Sequence, residues 1–298
     1  MNPFATQPRP GNASPDHRKP SWLTASAGLC AAVVTLIAGC GSAHTSGSAS
    51  GTAKPASPRQ AITMAAETSQ RISSVSETLV IKVAGPATET TTGSLQMQLK
   101  PSLLSSAALN IGVPGNTIPV AEVLGSEALY LKVPGVSQLT GRPWLKISFA
   151  QLSGKLGASF GQLLQSMQNS NPLGQTQIFA ASKNVHATGN QVVSGVQTTR
   201  YTGSFSARAA LAALSPSLRK LMGPALNRVT GDAVFTVWID GQHHVRRIVE
   251  VEQVNGASVD TTMNVTAINQ PVHISPPPAS QVAAFPQRLL NTSGGGVL

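Results

Sequence analysis

Apolar and polar residues alternate in about eleven short segments of this chain, which follow one another in meander order. The alternation is clearest in two early segments, where every second residue is aliphatic or methionine: Leu79, Ile81, Val83, then Leu95, Met97 and Leu99. Strict alternation indicates an antiparallel sheet with one apolar face and one solvated face. A sheet with this many strands is expected to curl, because large twisted sheets do not stay flat.

Three other stretches have helical spacing, at 61–75, 149–167 and 206–226. The later strands are predicted at nine further positions: 104–111, 118–124, 128–133, 144–148, 184–187, 191–203, 233–239, 249–252 and 259–266. The strand at 118–124 is predicted to lie at an edge, because Pro119 cannot donate a backbone hydrogen bond to a neighbouring strand. The turn at 240–243 is predicted to close a hairpin.

These elements predict an α+β fold, a strongly curved antiparallel sheet (a half-barrel of about eleven strands) covered on its concave apolar face by helices. So few helices leave a cleft with aliphatic walls, which suits alkyl chains better than polar metabolites. The same residues would also form an ordinary filled core, and this alternative stays open. The candidate lining residues are Leu79, Ile81, Val83, Leu95, Met97, Leu99, Leu129, Leu131, Leu145, Ile147, Leu156, Phe160, Leu163, Met167, Phe235, Val237, Val249, Val251, Met263 and Val265.

The first 60 residues predict a lipoprotein leader followed by a tether. Basic residues precede an uncharged apolar segment at 23–37, which is short for a membrane span and typical of a secretory signal. Gly39 and Cys40 end a bacterial lipobox, in which the leader is cleaved between them and the Cys40 thiol is acylated. An uncleaved N-terminal anchor remains the alternative. Because Cys30 leaves with the leader, Cys40 would be the only cysteine of the mature chain.

The chain therefore divides into a signal peptide at 1–39, a lipidated and flexible Ser/Gly/Ala/Pro tether at 40–60, a folded domain at 61–285 and a disordered tail at 286–298. This organisation predicts a lipid-anchored protein on the extracytoplasmic face of the cell membrane. Treated as a flexible coil, the tether would let the domain move roughly 25 Å from the bilayer.

Enzyme and metal chemistry find little support in the sequence. No His-x-His or HExxH motif occurs, and the adjacent His243 and His244 fall in a predicted solvated turn, so we expect no metal site and no cofactor. The acidic residues fall mostly on the polar faces of the strands. Glu250 and Glu252 share a strand face near Arg246, which predicts surface ion pairs rather than catalytic carboxylates. We therefore expect a protein that is not an enzyme.

The formal net charge of +10 raises the question of anionic partners. The basic residues are scattered rather than interleaved with aromatics, so we expect no nucleic acid partner. The pairs Arg219-Lys220 and Arg246-Arg247, with Arg228, would form a patch for anionic lipid headgroups. Plain solubility explains the same charges equally well.

Several short motifs occur in an order that resembles the actinobacterial lipoproteins of the LppX/LprG type. After the lipobox and tether come 129–132 (LYLK), 142–147 (RPWLKI), 201–203 (YTG), 237–240 (VWID) and 271–278 (PVHISPPP). The resemblance covers residues 61–285. It implies a LolA/LolB-like half-barrel of about eleven strands with an internal cavity, and transport of acylated lipids, glycolipids or lipoglycans outward from the cytoplasmic membrane. It implies no catalytic residues, and a membrane exporter is a candidate partner. A non-catalytic surface interaction or sensory lipoprotein with a filled core is the alternative function.

Overall fold

The computed structural model describes residues 57–85, 88–151, 184–213 and 226–285, together with residues 179, 182, 219 and 223. The helices of this part are α1 (Pro58–Ser69), α2 (Val136–Thr140) and α3 (Ala207–Ala213), with a 3-10 turn at Ala279–Gln281. The strands are β1 (Ser74–Ala84), β2 (Glu89–Gln98), β3 (Leu104–Val113), β4 (Asn116–Leu124), β5 (Ala128–Lys132), β6 (Trp144–Ser148), β7 (His186–Val193), β8 (Val196–Ser206), β9 (Val229–Asp240), β10 (Val245–Val254), β11 (Ala257–Ile268) and β12 (Val282–Ala284).

Within the described residues, twelve strands form one sheet in the order β12-β6-β5-β4-β3-β2-β1-β11-β10-β9-β8-β7. Two antiparallel meanders, β1–β6 and β7–β11, are joined where β1 pairs with β11 in the middle of the sheet. The predicted α+β class with an antiparallel sheet is therefore confirmed. The strand missing from the prediction is β12, which pairs parallel with β6 and is too short, at 3 residues, to show alternation.

Helix α1 begins at a well-formed N-cap and ends earlier than predicted. The hydroxyl of Ser57 accepts a hydrogen bond from the backbone N–H of Gln60 at 3.2 Å, and Pro58 occupies the first helical turn. The prediction extended the helix to 75, but Val75 lies in β1 and pairs with Met97 of β2. The helical spacing of apolar residues continues past the end of the helix, but pairing with the neighbouring strands sets the conformation of Val75.

Two strand predictions were wrong in their details. The strand that contains Pro119 is not an edge strand, since β4 lies between β3 and β5. Pro119 is tolerated because the pairs between β4 and β5 reach only from Leu124 to Ala121, so β4 runs past β5 at that point. The turn predicted around Gly189 is absent too: β7 continues through it with a register shift, and the turn lies at residues 194–195 instead.

The strand register defines two faces of the sheet. We call the face that carries Val75, Leu79, Ile81, Phe235 and Val237 the inner face, because all five side chains are buried. The opposite face is the outer face. Helix α1 packs on the inner face, where its Ala61, Ile62 and Ala65 join the cluster that contains Phe235 and Val237.

The predicted hairpin between β9 and β10 is held by one buried carboxylate. Oδ1 of Asp240 accepts hydrogen bonds from the backbone N–H groups of Gln242 and His244, both at 2.9 Å. Its Oδ2 accepts a hydrogen bond from Nε of Arg246 at 2.7 Å. The carboxylate therefore fixes both the turn and the first residues of β10.

We expect Asp240→Asn to lower the free energy of unfolding by about 2 kcal/mol, because the new amide group would face Arg246 without being able to accept its hydrogen bond. Urea unfolding would measure the change. Asp232→Asn, at an exposed position of the same strand, is the matched control and should change stability by less than about 0.5 kcal/mol. Equal effects of the two substitutions would contradict this role of Asp240.

Candidate functional site

The register brings most of the predicted lining residues onto the inner face. Cross-strand pairs connect Leu79 to Met263, Glu77 to Val265 and Leu131 to Leu145, so neighbouring strands contribute to one continuous surface. Leu99 follows β2 directly and packs in the same cluster as Met97. The predicted residues on or beside this face are Leu79, Ile81, Val83, Leu95, Met97, Leu99, Leu129, Leu131, Leu145, Ile147, Phe235, Val237, Met263 and Val265.

Two predicted lining residues, Val249 and Val251, lie on the outer face. Val249 pairs with Thr262 and Thr236, whose strand neighbours Met263 and Val237 point inward. Val251 is 36% exposed. The prediction was wrong because it assumed that the valines of β10 point inward and the glutamates outward, and the strand register has the opposite phase.

Six other predicted site residues lie outside the described residues: Gly39, Cys40, Leu156, Phe160, Leu163 and Met167. Residues 157–161, also outside them, read Gly-Ala-Ser-Phe-Gly, the spacing of a nucleophile elbow. That motif requires a strand before the serine and a helix after it. The sequence at 149–167 has helical spacing on both sides of the serine, so it does not provide this context.

One half of the inner face, from β8 to β10, is sealed by the protein's own side chains. Phe235 and Val237 are fully buried, and the ring of Phe179 stacks on that of Phe235 with centroids 4.3 Å apart. Gly203 makes room for this stack, since a Cβ there would lie 2.6 Å from the Phe235 ring. This half is therefore the filled core that was the alternative to a cleft.

The other half, from β2 to β6, is buried in part and accessible in part: Met97, Leu109 and Ile147 point inward and are buried, while other inward aliphatic side chains are more accessible. Leu95, Leu129, Leu131 and Leu145 all point inward and are only half-buried. Large aliphatic side chains on the inner face of a sheet are normally covered by another layer. This part of the inner face, which we call the open half, is therefore the candidate binding surface.

The inner face also carries glutamates, which the sequence interpretation placed on polar faces. Glu77 of β1 pairs with Leu95 and Val265, and Glu122 of β4 pairs with Ala107 and Leu131. Glu250 of β10 pairs with Phe235 and Thr261. The predicted surface ion pairs of Glu250 and Glu252 are therefore wrong: both residues point inward, and Arg246 pairs with Asp240 instead.

Burial perturbs these carboxyl groups. It raises the pKa of Glu77 to about 7. Burial, and then the negative charge of Glu252, raise the pKa of Glu250 to about 8. Burial also raises the pKa values of Glu122 and Glu252. Glu77 and Glu250 therefore keep their protons close to neutral pH, so each can donate a hydrogen bond as well as accept one.

The structure describes part of the predicted basic patch, and also the two histidines of the adjacent turn. Arg247 on the outer face lies over the Trp238 ring at 5.4 Å and donates from Nε to Oδ1 of Asn264 at 2.6 Å. His243 and His244 are half-buried in their turn rather than fully solvated. These contacts do not test binding to lipid headgroups, which stays a prediction.

The described residues lack two features. No group of three or more His, Cys, Asp or Glu side chains there is placed to hold a metal ion. None of the helices in the same part of the chain is long and apolar enough to cross a membrane.

Several solved structures have folds similar to this one. LprF from Mycobacterium bovis is 14% identical over 74% of this chain and 96% of that one, with a TM-score of 0.44. LppX from Mycobacterium tuberculosis is 18% identical over 75% of this chain and 100% of that one, with a TM-score of 0.42. A LolA superfamily protein from Nitrosomonas europaea is 10% identical over 78% and 96%, with a TM-score of 0.26. No curated protein matches the sequence.

A protein-family model described as LppX_LprAFG lipoprotein matches residues 57–274. The match begins at the N-cap of α1 and continues past the end of β11, so it takes in both meanders of the sheet. This chain belongs to the LppX_LprAFG lipoprotein family, as the order of its motifs predicted.

Proposed function

We propose that this protein binds acylated lipids or lipoglycans on the open half of its inner face, at the outer surface of the cytoplasmic membrane, without catalysing a reaction. The supporting observation is that Leu95, Leu129, Leu131 and Leu145 point inward and are only half-buried. Membership of a lipoprotein family is consistent with this role.

The energetics favour alkyl chains as the occupant. Each methylene group that moves from water onto an apolar surface contributes roughly 0.8 kcal/mol, so one acyl chain that covers several leucines binds favourably. Phe235 and Val237 are fully buried and leave no room for a ligand in the sealed half, so we place the acyl chain on the open half. The acyl chain would thus cover the half-buried leucines of β2–β6.

The rest of the proposal concerns position and transfer. Acylated Cys40 would hold the protein at the membrane, and the tether predicted at 40–60 would let the domain reach the bilayer surface. The open half would then shield acyl chains from water while a lipid leaves the bilayer. A membrane exporter is the candidate donor of that lipid.

Filling the open half should displace the ligand. We expect Leu131→Trp to reduce the lipid that co-purifies with the full chain by about tenfold, because the larger ring would occupy the space above β5. Organic extraction followed by mass spectrometry would measure the lipid per mole of protein.

Val251→Trp is the matched control, since Val251 lies on the outer face and is 36% exposed. It should leave the amount of lipid unchanged. If the unaltered protein carries no lipid, or if both tryptophan variants lose it equally, the open half is not the binding surface. The surface interaction or sensory role would then be favoured.

A further inference from the structure

Charged residues are segregated between the two faces of the sheet. Among the described strand residues in regular register, the glutamates point inward, whereas the lysines and arginines point outward. The inward set is Glu77, Glu89, Glu122, Glu250 and Glu252, and the outward set is Lys82, Lys132, Lys146, Arg200 and Arg247. Among these strand residues, the inward carboxyl groups therefore have no basic cross-strand neighbour on their own face.

Two of the inward polar side chains are almost completely buried and unpartnered. Glu77 is 3% exposed and Thr91 is 1% exposed. Oε1 of Glu77 and Oγ1 of Thr91 have no hydrogen-bond partner among the described residues. A buried polar atom without a partner is unfavourable, so in a native protein it calls for an explanation such as a bound molecule or a functional role.

The positions of these groups fit contacts along an extended ligand. Glu77 and Glu122 lie on one row of the sheet, separated by the inward residues Leu95 and Ala107, so their backbones are about 14 Å apart. Thr91 lies four residues along β2 from Leu95, so its backbone is about 13 Å from that row. Such distances are too long for chelation of one ion, but they match polar groups spread along a lipid.

We propose that Glu77, Thr91 and Glu122 form the polar subsites of the acyl-lipid site, where their carboxyl and hydroxyl groups donate hydrogen bonds to the ester carbonyl oxygens of an uncharged acyl ester. This inference rests on the proposed function. It adds that the ester linkages of the lipid, and not only its tails, enter the protein. The raised pKa of Glu77 keeps this group protonated and able to donate.

The ligand chemistry follows from the acceptor that these groups require. An ester carbonyl oxygen accepts a hydrogen bond and carries no charge, so it can satisfy a buried donor without introducing an ion into an apolar site. An ether oxygen of the same lipid geometry is a weaker acceptor. A cationic amphiphile would instead require ionised carboxylates at the same positions.

Competition binding separates these ligands. The probes are a diacylglycerol, the dialkylglycerol ether with the same chains, and a dialkylamine, each displacing a fluorescent fatty acid from the full chain at about pH 6. We expect the diacylglycerol to bind about tenfold more tightly than the ether. In Glu77→Leu combined with Thr91→Val, this preference should fall to about twofold or less, because two donors are removed.

Conservative and outward-facing variants serve as controls. Glu77→Gln should keep most of the preference, because its amide still donates. Thr92→Val, on the outer face next to Thr91, should keep all of it. If the double variant fails to fold, as circular dichroism would show, Thr91→Val alone provides the test, since it removes only an unpartnered hydroxyl.

Two results would overturn the inference while leaving lipid binding intact. One is equal binding of the ester and the ether to the unaltered protein. The other is tightest binding of the amine together with its loss in Glu77→Gln, which would assign the site to a cation. Failure of all three probes to bind would instead contradict the proposed function itself.

Discussion

Replacing Glu77 by glutamine is expected to make the fall in the free energy of unfolding between pH 4 and pH 8 about 3 kcal/mol smaller than in the unaltered protein. Below pH 4.5 the side chain is protonated in both the folded and the unfolded protein, so it does not change the balance between them. As the pH rises, the unfolded chain ionises first, because burial raises the pKa of the folded carboxyl to about 7. Stability therefore falls until the folded carboxyl also ionises.

The surroundings of Glu77 explain why its pKa is high. Its neighbours on the inner face are Leu95 of β2, Val265 of β11 and, along its own strand, Val75 and Leu79. None of these can titrate or carry a charge. At the inward positions of the described strands, the other titratable groups are Tyr201, Glu89, Glu122, Glu250 and Glu252, and none of them is basic.

Urea unfolding of the unaltered protein and of Glu77→Gln at pH 4 and pH 8 would measure the difference. Other groups titrate in both proteins, so only the difference between their pH profiles reports on Glu77. Glu127→Gln, in an exposed turn, is the control and should leave the profile unchanged. Parallel profiles for the unaltered protein and Glu77→Gln would show that this carboxyl is solvated in the folded state.

The sequence was sufficient to predict which residues face inward wherever one set of alternating positions is plainly apolar. In β1 and β2, Leu79, Ile81 and Leu95 determine the phase of the strand, since one buried face requires them on the same side. The same alternation, repeated along the chain, predicted the antiparallel sheet. The open half could be foreseen only in outline, because exposure depends on which helices cover which strands.

The phase of β10 could not be predicted from the same rule. Its alternating sets are Val249 with Val251 and Glu250 with Glu252, and burial energy alone favours the valines inside. A register shift between Val245 and Arg247 lets Val245 and Ile248 both point inward, which then places Glu250 inward as well. The local sequence feature that indicates this phase is Ile248, which is the first inward residue after the register shift.

The centre of the sheet was also beyond the reach of local patterns. Strand β1 pairs with β11, whose residues lie more than 170 positions later in the chain, for example Leu79 with Met263. Alternation assigns strands and faces but contains no information about partners so distant. The order of the two meanders therefore required the structure.

Replacing Cys40 by alanine is expected to release nearly all of the protein from the membrane fraction. Each buried methylene of an attached acyl chain contributes roughly 0.8 kcal/mol, and stable anchoring requires more than one chain. Alanine has no thiol to acylate, so the protein would lose its attachment rather than weaken it. Fractionation after a wash with high salt would measure the change, because salt removes any contribution from the net charge of +10.

Cys30→Ala is the matched control, because the sequence places this cysteine inside the leader that is removed. It should leave the protein in the membrane fraction, and the mature chain should begin at an acylated Cys40. If the unaltered protein in the salt-washed membrane still carries residues 1–39, the apolar segment at 23–37 is itself the anchor and is not cleaved. The domain would then be held at the bilayer by a membrane-embedded segment, and the lipid-binding face would have to work from that fixed point.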